Sequence, residues 1–207
     1  MASKAAQIVC VTLGVIGLIG VITCCALPQW KVTAFIGANI VTSQVIYEGL
    51  WMMCVKQSTG QLQCKVYDSL LVLPFDLQAG RPMTVISCIL CGLSLFLLFF
   101  GSDLTRCFQN QGTKPKLSLM AAVGLLLAGL LVIIPVSWMT HTIIRDFYNP
   151  FVARSQKTEL GACIYIGWAA GVILILTAVL LCCFGRPRSS SSRGTVKYHR
   201  APGLNDD

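Results

Sequence analysis

Apolar and polar positions divide this chain into four long apolar runs and the segments between them. The runs cover residues 7–27, 82–101, 117–139 and 161–184. About twenty apolar residues in helical geometry cross the roughly 30 Å hydrocarbon core of a bilayer. Backbone polar groups have no water to bond in that layer, so all four runs are expected to be helices. A cleaved leader would have an apolar stretch of about 7–15 residues. The first run is longer and is read as a span. Pro82 stands at the start of the second run, where a first helical turn has no use for its missing N–H. Pro135 lies toward the outer end of the third and is expected to bend it. Small residues recur at helical spacing (Gly14, Gly17 and Gly20; Gly124 and Ala128; Gly167 and Gly171), which lets helices approach closely within a bundle. No Asp, Glu, Lys or Arg stands in the middle of any run, which argues against an ion path or proton relay through the bundle.

The segment between the first two runs has a different period. From Gln61 to Tyr67 the positions alternate, with Leu62, Cys64 and Val66 on one side and Gln61, Gln63, Lys65 and Tyr67 on the other. This pattern predicts a half-buried strand. Residues 49–55 read as its partner, with Lys56-Gln57-Ser58-Thr59-Gly60 as the turn. Cys54 and Cys64 are equidistant from Thr59, so a hairpin folded there sets them opposite one another, within reach of a disulfide. Closing that loop is worth roughly 3 kcal/mol in the chain-entropy model. Residues 30–36 and 39–47, turning at Gly37-Ala38, predict two further strands. Four strands make a small antiparallel sheet that must be covered by the helix tops or the bilayer surface. Trp30 and Trp51 are read as anchors at the membrane boundary. Leu70 and its apolar neighbours form a run ended by Pro74, an exposed contact surface in the making.

Composition supports the membrane reading. Only 12% of the 207 residues are charged, against about 25% in soluble domains. The net charge of +8 sits mostly beside the apolar runs, which fits membrane orientation and not nucleic-acid binding. An even number of spans puts both termini on one side. The basic residues there (Lys4, Arg106, Lys114, Lys116 and those of the tail) are the denser set, so that side is expected to be cytoplasmic. A Cys54–Cys64 disulfide then falls on the oxidising side. The expected division is a cytoplasmic N-terminus (1–6), four spans as above, a first outer loop (28–81) holding the sheet and a short helix, an inner loop (102–116), a second outer loop (140–160) and a disordered basic tail (185–207). The fold class is a mainly α membrane protein, a left-handed four-helix bundle with an extracellular antiparallel β-sheet. No grouping of His141, His199 and the eight acidic residues has catalytic or metal-ligand spacing. The expectation is therefore a protein that is not an enzyme and uses neither cofactor nor metal.

Trp30, Gly49-Leu50-Trp51, Cys54 and Cys64 resemble the W–GLW–C–C signature of the claudins. The resemblance continues through Gln78-Ala79-Gly80-Arg81 and Asp146-Phe147-Tyr148-Asn149-Pro150 and covers nearly the whole chain. The stretches Val32-Thr33-Ala34-Phe35-Ile36-Gly37 and Cys64-Lys65-Val66-Tyr67-Asp68-Ser69-Leu70 are similar to those of barrier-forming epithelial claudins. The resemblance implies a plasma-membrane protein of tight junctions that polymerises with itself and other claudins, in one membrane and across the cell gap, contacts membrane lipid, and seals the paracellular space or lines pores through it. In the family, an apolar residue after the sheet inserts into an aromatic pocket of the next copy. Here these would be Leu70, and Phe147 with Tyr148. Lys65, just after the second cysteine, with Lys56 beside it, would set charge preference, favouring anions. The family's toxin-binding segment matches Asn149, Pro150, Phe151, Val152 and Ala153, with Phe151 where that segment has leucine, a change that counts against binding of a clostridial enterotoxin. Cys107, Cys182 and Cys183 match palmitoylation positions at the inner membrane face. The signature is shared by four-span regulatory subunits of channels or receptors, which act by lateral packing. That is the alternative reading.

Many claudins end in an apolar residue that enters PDZ domains, whereas this chain ends Asn205-Asp206-Asp207. An aspartate fills such a pocket poorly. A peptide of this tail should bind a junctional PDZ domain weakly or not at all by fluorescence polarisation, and a micromolar affinity would refute the expectation.

Overall fold

A computed structural model describes residues 4–33, 45–57, 59–69, 74–101, 114–152 and 157–185. The elements, in chain order, are α1 (Lys4–Ala26), β1 (Lys31–Thr33), β2 (Val45–Glu48), β3 (Met52–Lys56), β4 (Leu62–Val66), α2 (Phe75–Gly101), α3 (Lys114–Tyr148), β5 (Thr158–Leu160) and α4 (Ala162–Gly185). All four helices are long and apolar enough to cross a membrane. They pack in a ring, α1 on α2, α2 on α3, α3 on α4 and α4 on α1.

The interior is held by small residues and by polar groups that bond internally. A Cβ placed on Gly20 would lie 2.8 Å from that of Ala170, so α1 and α4 touch almost backbone to backbone. Ser87 donates to the Ala128 carbonyl at 2.7 Å, a direct bond between α2 and α3. Thr84, Ser94, Thr140 and Thr177 bond back to carbonyls of their own helices. Every buried side-chain nitrogen or oxygen among the described residues has a partner, as a chain without access to water requires.

The outer ends of two helices extend beyond the apolar runs. α2 starts at Phe75, so Pro82 is inside the helix and not in its first turn. The Pro74 carbonyl accepts from the amides of Leu77 and Gln78 and starts the helix there. α3 continues past Pro135 to Tyr148, converting the first part of the expected second outer loop into helix. Its 35 residues span about 52 Å at 1.5 Å per residue, well beyond a hydrocarbon core of about 30 Å. Hydropathy marks where apolar residues stop; it does not mark where helical hydrogen bonding stops.

The sheet has five strands in the order β4-β3-β2-β1-β5, all antiparallel. The β3–β4 hairpin has the expected register, Cys54 opposite Cys64, and the two are joined as a disulfide. Gly60 turns it with φ +83°, a conformation suited to glycine. Three expectations change. Residues 49–51 form a corner and not strand, closed by the Gly49 amide donating to the Met52 carbonyl at 3.0 Å. β4 is exposed along its whole length and is not half-buried, because it is the sheet's edge and overhangs the bundle. The fifth strand comes from the second outer loop and lies beside β1. The β1–β2 turn placed at Gly37-Ala38 is outside the described residues.

Candidate functional site

Two constellations matter: the joint that fixes the sheet on the bundle, and an aromatic groove at the end of α3. The joint is built from the signature residues. Trp30 is fully buried and its indole N–H donates to the Cys24 carbonyl at 2.9 Å. It is therefore a core plug that caps the end of α1, and not an anchor in lipid. Its backbone amide donates to the Glu48 carbonyl, and its own carbonyl accepts from the Gly161 amide. A Cβ on Gly49 would collide with Pro28, so only glycine lets the corner lie on the chain leaving α1. Leu50, also fully buried, fills the space over Gly80 of α2.

Arg81 completes the joint. It is 9% exposed, and its Nε–H donates to the Leu50 carbonyl. Its guanidinium lies over the rings of Trp51, at 5.3 Å, and Tyr67, at 5.6 Å. Tyr67, expected on the solvent side of the strand, instead follows the end of β4 and packs at the joint. Its hydroxyl donates to the Gly49 carbonyl at 3.4 Å. Burial, reinforced by the charge of Glu48, pushes that hydroxyl above its ordinary pKa against the opposing effect of Arg81. Tyr67 thus stays neutral and remains a donor. Trp51 is 40% exposed, and its partner at the joint is Arg81.

The groove lies between the end of α3, β5 and the start of α4. It encloses about 310 Å³ and is lined by Ile143, Phe147, Tyr148, Leu160 and Tyr165, with Glu159 among its other walls. Phe147 and Tyr148 meet edge to face at 5.7 Å. Lys157 Nζ donates to the Phe147 carbonyl at 2.6 Å and lies 5.4 Å from the Phe147 ring. A cation on the last carbonyls of a helix is favourably placed, so Lys157 locks the aromatic pair. Lys157 could have been found as a cation beside a helix end, had that end been placed at Tyr148 and not Met139. Leu70, the expected insert, lies outside the described residues.

The two lysines do not act as one patch. Pairing puts Lys65, Met53, Glu48 and Lys31 in one row on one face. Lys56 is the last residue of β3, opposite Leu62, and so projects from the other face, that of Cys54 and Cys64. Lys65 pairs with Asp68 at 2.7 Å, both strongly exposed. The hydrogen bond and charge of Asp68 raise the lysine's pKa, so it stays protonated while its field is largely offset. Beyond α3, Asn149 Oδ1 accepts from the Phe151 amide at 3.0 Å, and Phe151 projects, 95% exposed. Ala153 is outside the described residues. Cys182 is half-buried and Cys183 exposed at the end of α4, while Cys107 is outside the described residues.

Four spanning helices crowned by a disulfide-bonded sheet, with Trp30 and Arg81 as its fasteners, define a class of four-span membrane proteins. Residues 4–181 match the PMP-22/EMP/MP20/Claudin family. The chain is 56% identical over 201 residues to Claudin-4 of Homo sapiens, covering 97% of this chain and 96% of that one. It is 51% identical over 200 residues to Claudin-3 of Homo sapiens, covering 97% and 91%. It is 50% identical over 206 residues to Claudin-like protein ZF-A89 of Danio rerio, covering 98% and 99%. The chain belongs to the claudin family.

Arg81→Lys keeps the charge but loses the planar stack and the Nε donor, leaving a buried carbonyl without its bond. The expected cost is about 1–3 kcal/mol. It should appear as a lower unfolding temperature in detergent with the Cys54–Cys64 disulfide still formed, and an unchanged midpoint would remove Arg81 from the joint.

Proposed function

We propose that this claudin builds tight-junction strands by placing Leu70 of one copy into the Phe147–Tyr148 groove of the next. The protein is a multi-pass tight-junction component that controls paracellular permeability. The observation that supports the polymer is positional. Leu70 follows β4, one edge of the sheet, whereas the groove adjoins β5, the other edge. Donor and acceptor are then different surfaces of one chain. Such a head-to-tail contact grows a filament in the membrane wherever its rotation does not close a ring. The role is structural and adhesive, with no catalytic step. Copies on opposing cells meet through the outer loops, both termini are cytoplasmic, and the Phe151 segment is a poor enterotoxin site.

Freeze-fracture of junction-free fibroblasts expressing the protein should show continuous strands at cell contacts. Leu70→Ala and Phe147→Ala should reduce them to short pieces or none at unchanged surface level. Scattered particles from the unaltered protein would mean that it needs a partner claudin to polymerise, or that it acts as a laterally packed regulatory subunit.

Charge preference, on this reading, rests on Lys65 net of Asp68. A unit charge about 10 Å from an ion's path is worth about 0.4 kcal/mol in water. Asp68→Asn should therefore shift dilution potentials toward anions by up to about fourfold in the cation-to-anion ratio, and Lys65→Gln should shift them the opposite way by a similar amount. Equal potentials in both variants would place this pair away from the permeation path.

A further inference from the structure

A hollow between α2 and α3, at the sheet end of the bundle, adjoins the joint through Gly80 and lies apart from the aromatic groove. It encloses about 240 Å³ and is lined almost wholly by apolar groups. Its floor is Ala79, Gly80 and Pro135, and its lips are Phe75 and Trp138, which are 73% and 58% exposed. Along α2 it runs from Asp76 to Met83, about 10 Å at 1.5 Å per residue. Both walls are helices long and apolar enough to cross a membrane, and an almost wholly apolar lining near their outer ends suits a membrane component better than water.

One end is polar. Asp76, in the first turn of α2, accepts through Oδ1 from the Trp138 indole N–H at 3.0 Å. A carboxylate is an acceptor only, with capacity for more than one donor. A molecule whose head meets Asp76 must therefore bring a donor and must not be an anion. A phospholipid phosphate is repelled there, and an ester group, also an acceptor, gains nothing. Ala79, Gly80 and Pro135 carry no long flexible side chain, Met83 being the one such residue in the lining, so this surface suits a rigid body that loses little freedom on binding.

We propose that this hollow binds a membrane sterol, with the ring face on Ala79, Gly80 and Pro135 and the hydroxyl donating to Asp76.

The test uses the full chain in nanodiscs of phosphatidylcholine containing a photoreactive, alkyne-tagged cholesterol, with adducts mapped by mass spectrometry. Adducts should concentrate on 75–83 and 134–138 and be displaced by unlabelled cholesterol. Cholest-4-en-3-one, which lacks the donor, should compete about tenfold less well, the loss expected for one hydrogen bond to a charged group. Ala79→Phe, which fills the floor, should remove these adducts, and Ile134→Trp, at the lipid-facing wall, should reduce them if Ala79→Phe fails to yield a monodisperse, disulfide-bonded protein. Labelling spread evenly over all four helices would overturn the proposal. So would adducts unaffected by either substitution, or displacement by phosphatidylethanolamine as effective as that by cholesterol.

Discussion

The structure depends on a guanidinium taken almost out of water at the boundary between sheet and bundle. A buried guanidinium needs partners for its donors, and the two aromatic faces and the Leu50 carbonyl receive that of Arg81. That bonding set belongs to three segments, the start of α2, the β2–β3 corner and the residue after β4. Satisfying the charge therefore fixes those segments together. Trp30 does the equivalent on α1, with its indole on the Cys24 carbonyl and its backbone shared between β2 and the approach to α4. Two fasteners on different helices prevent the sheet from rotating over the bundle, which one alone would not.

Much of this was legible in the residues, and the failures share a cause. The β3–β4 register follows from two cysteines equidistant from a turn, a local fact of spacing. The four spans follow from hydropathy. The tryptophan signature was visible as a motif, but its burial was not, because enrichment of tryptophan at membrane boundaries is a statement about populations and the Cys24 carbonyl is a particular partner. β5 was missed because Thr158-Glu159-Leu160 is too short for any period to register. Its pairing with β1 is a contact between distant segments. The extra turns of α3 were missed because helical residues above the membrane carry the polar side chains expected of a loop.

That extension of α3 shapes the aromatic groove more than any other departure from the hydropathy pattern. An α3 ending near Met139 would leave Phe147 and Tyr148 on a loop, free to sample many positions. Carried on a continuous helix and held at its last carbonyls by Lys157, they become a rigid wall. β5 supplies the facing wall and is itself fixed to β1 of the sheet. The groove's geometry is thus inherited from the sheet, and the sheet's from the two fasteners.

Sheet topology also bears on how charge is presented. Alternation along a strand separates Lys65 from Lys56 by a full face even though both border the same hairpin. Whatever path ions take past this chain, a given face offers them one of the two lysines. On the Lys65 face that lysine stands in a row with Met53, Glu48 and Lys31, with Asp68 bonded to it. Charges of both signs in such proximity leave a weak local field in water, where the Debye length is about 8 Å at physiological salt. A path along this face would select among ions by how closely it brings them to Lys65 relative to Asp68.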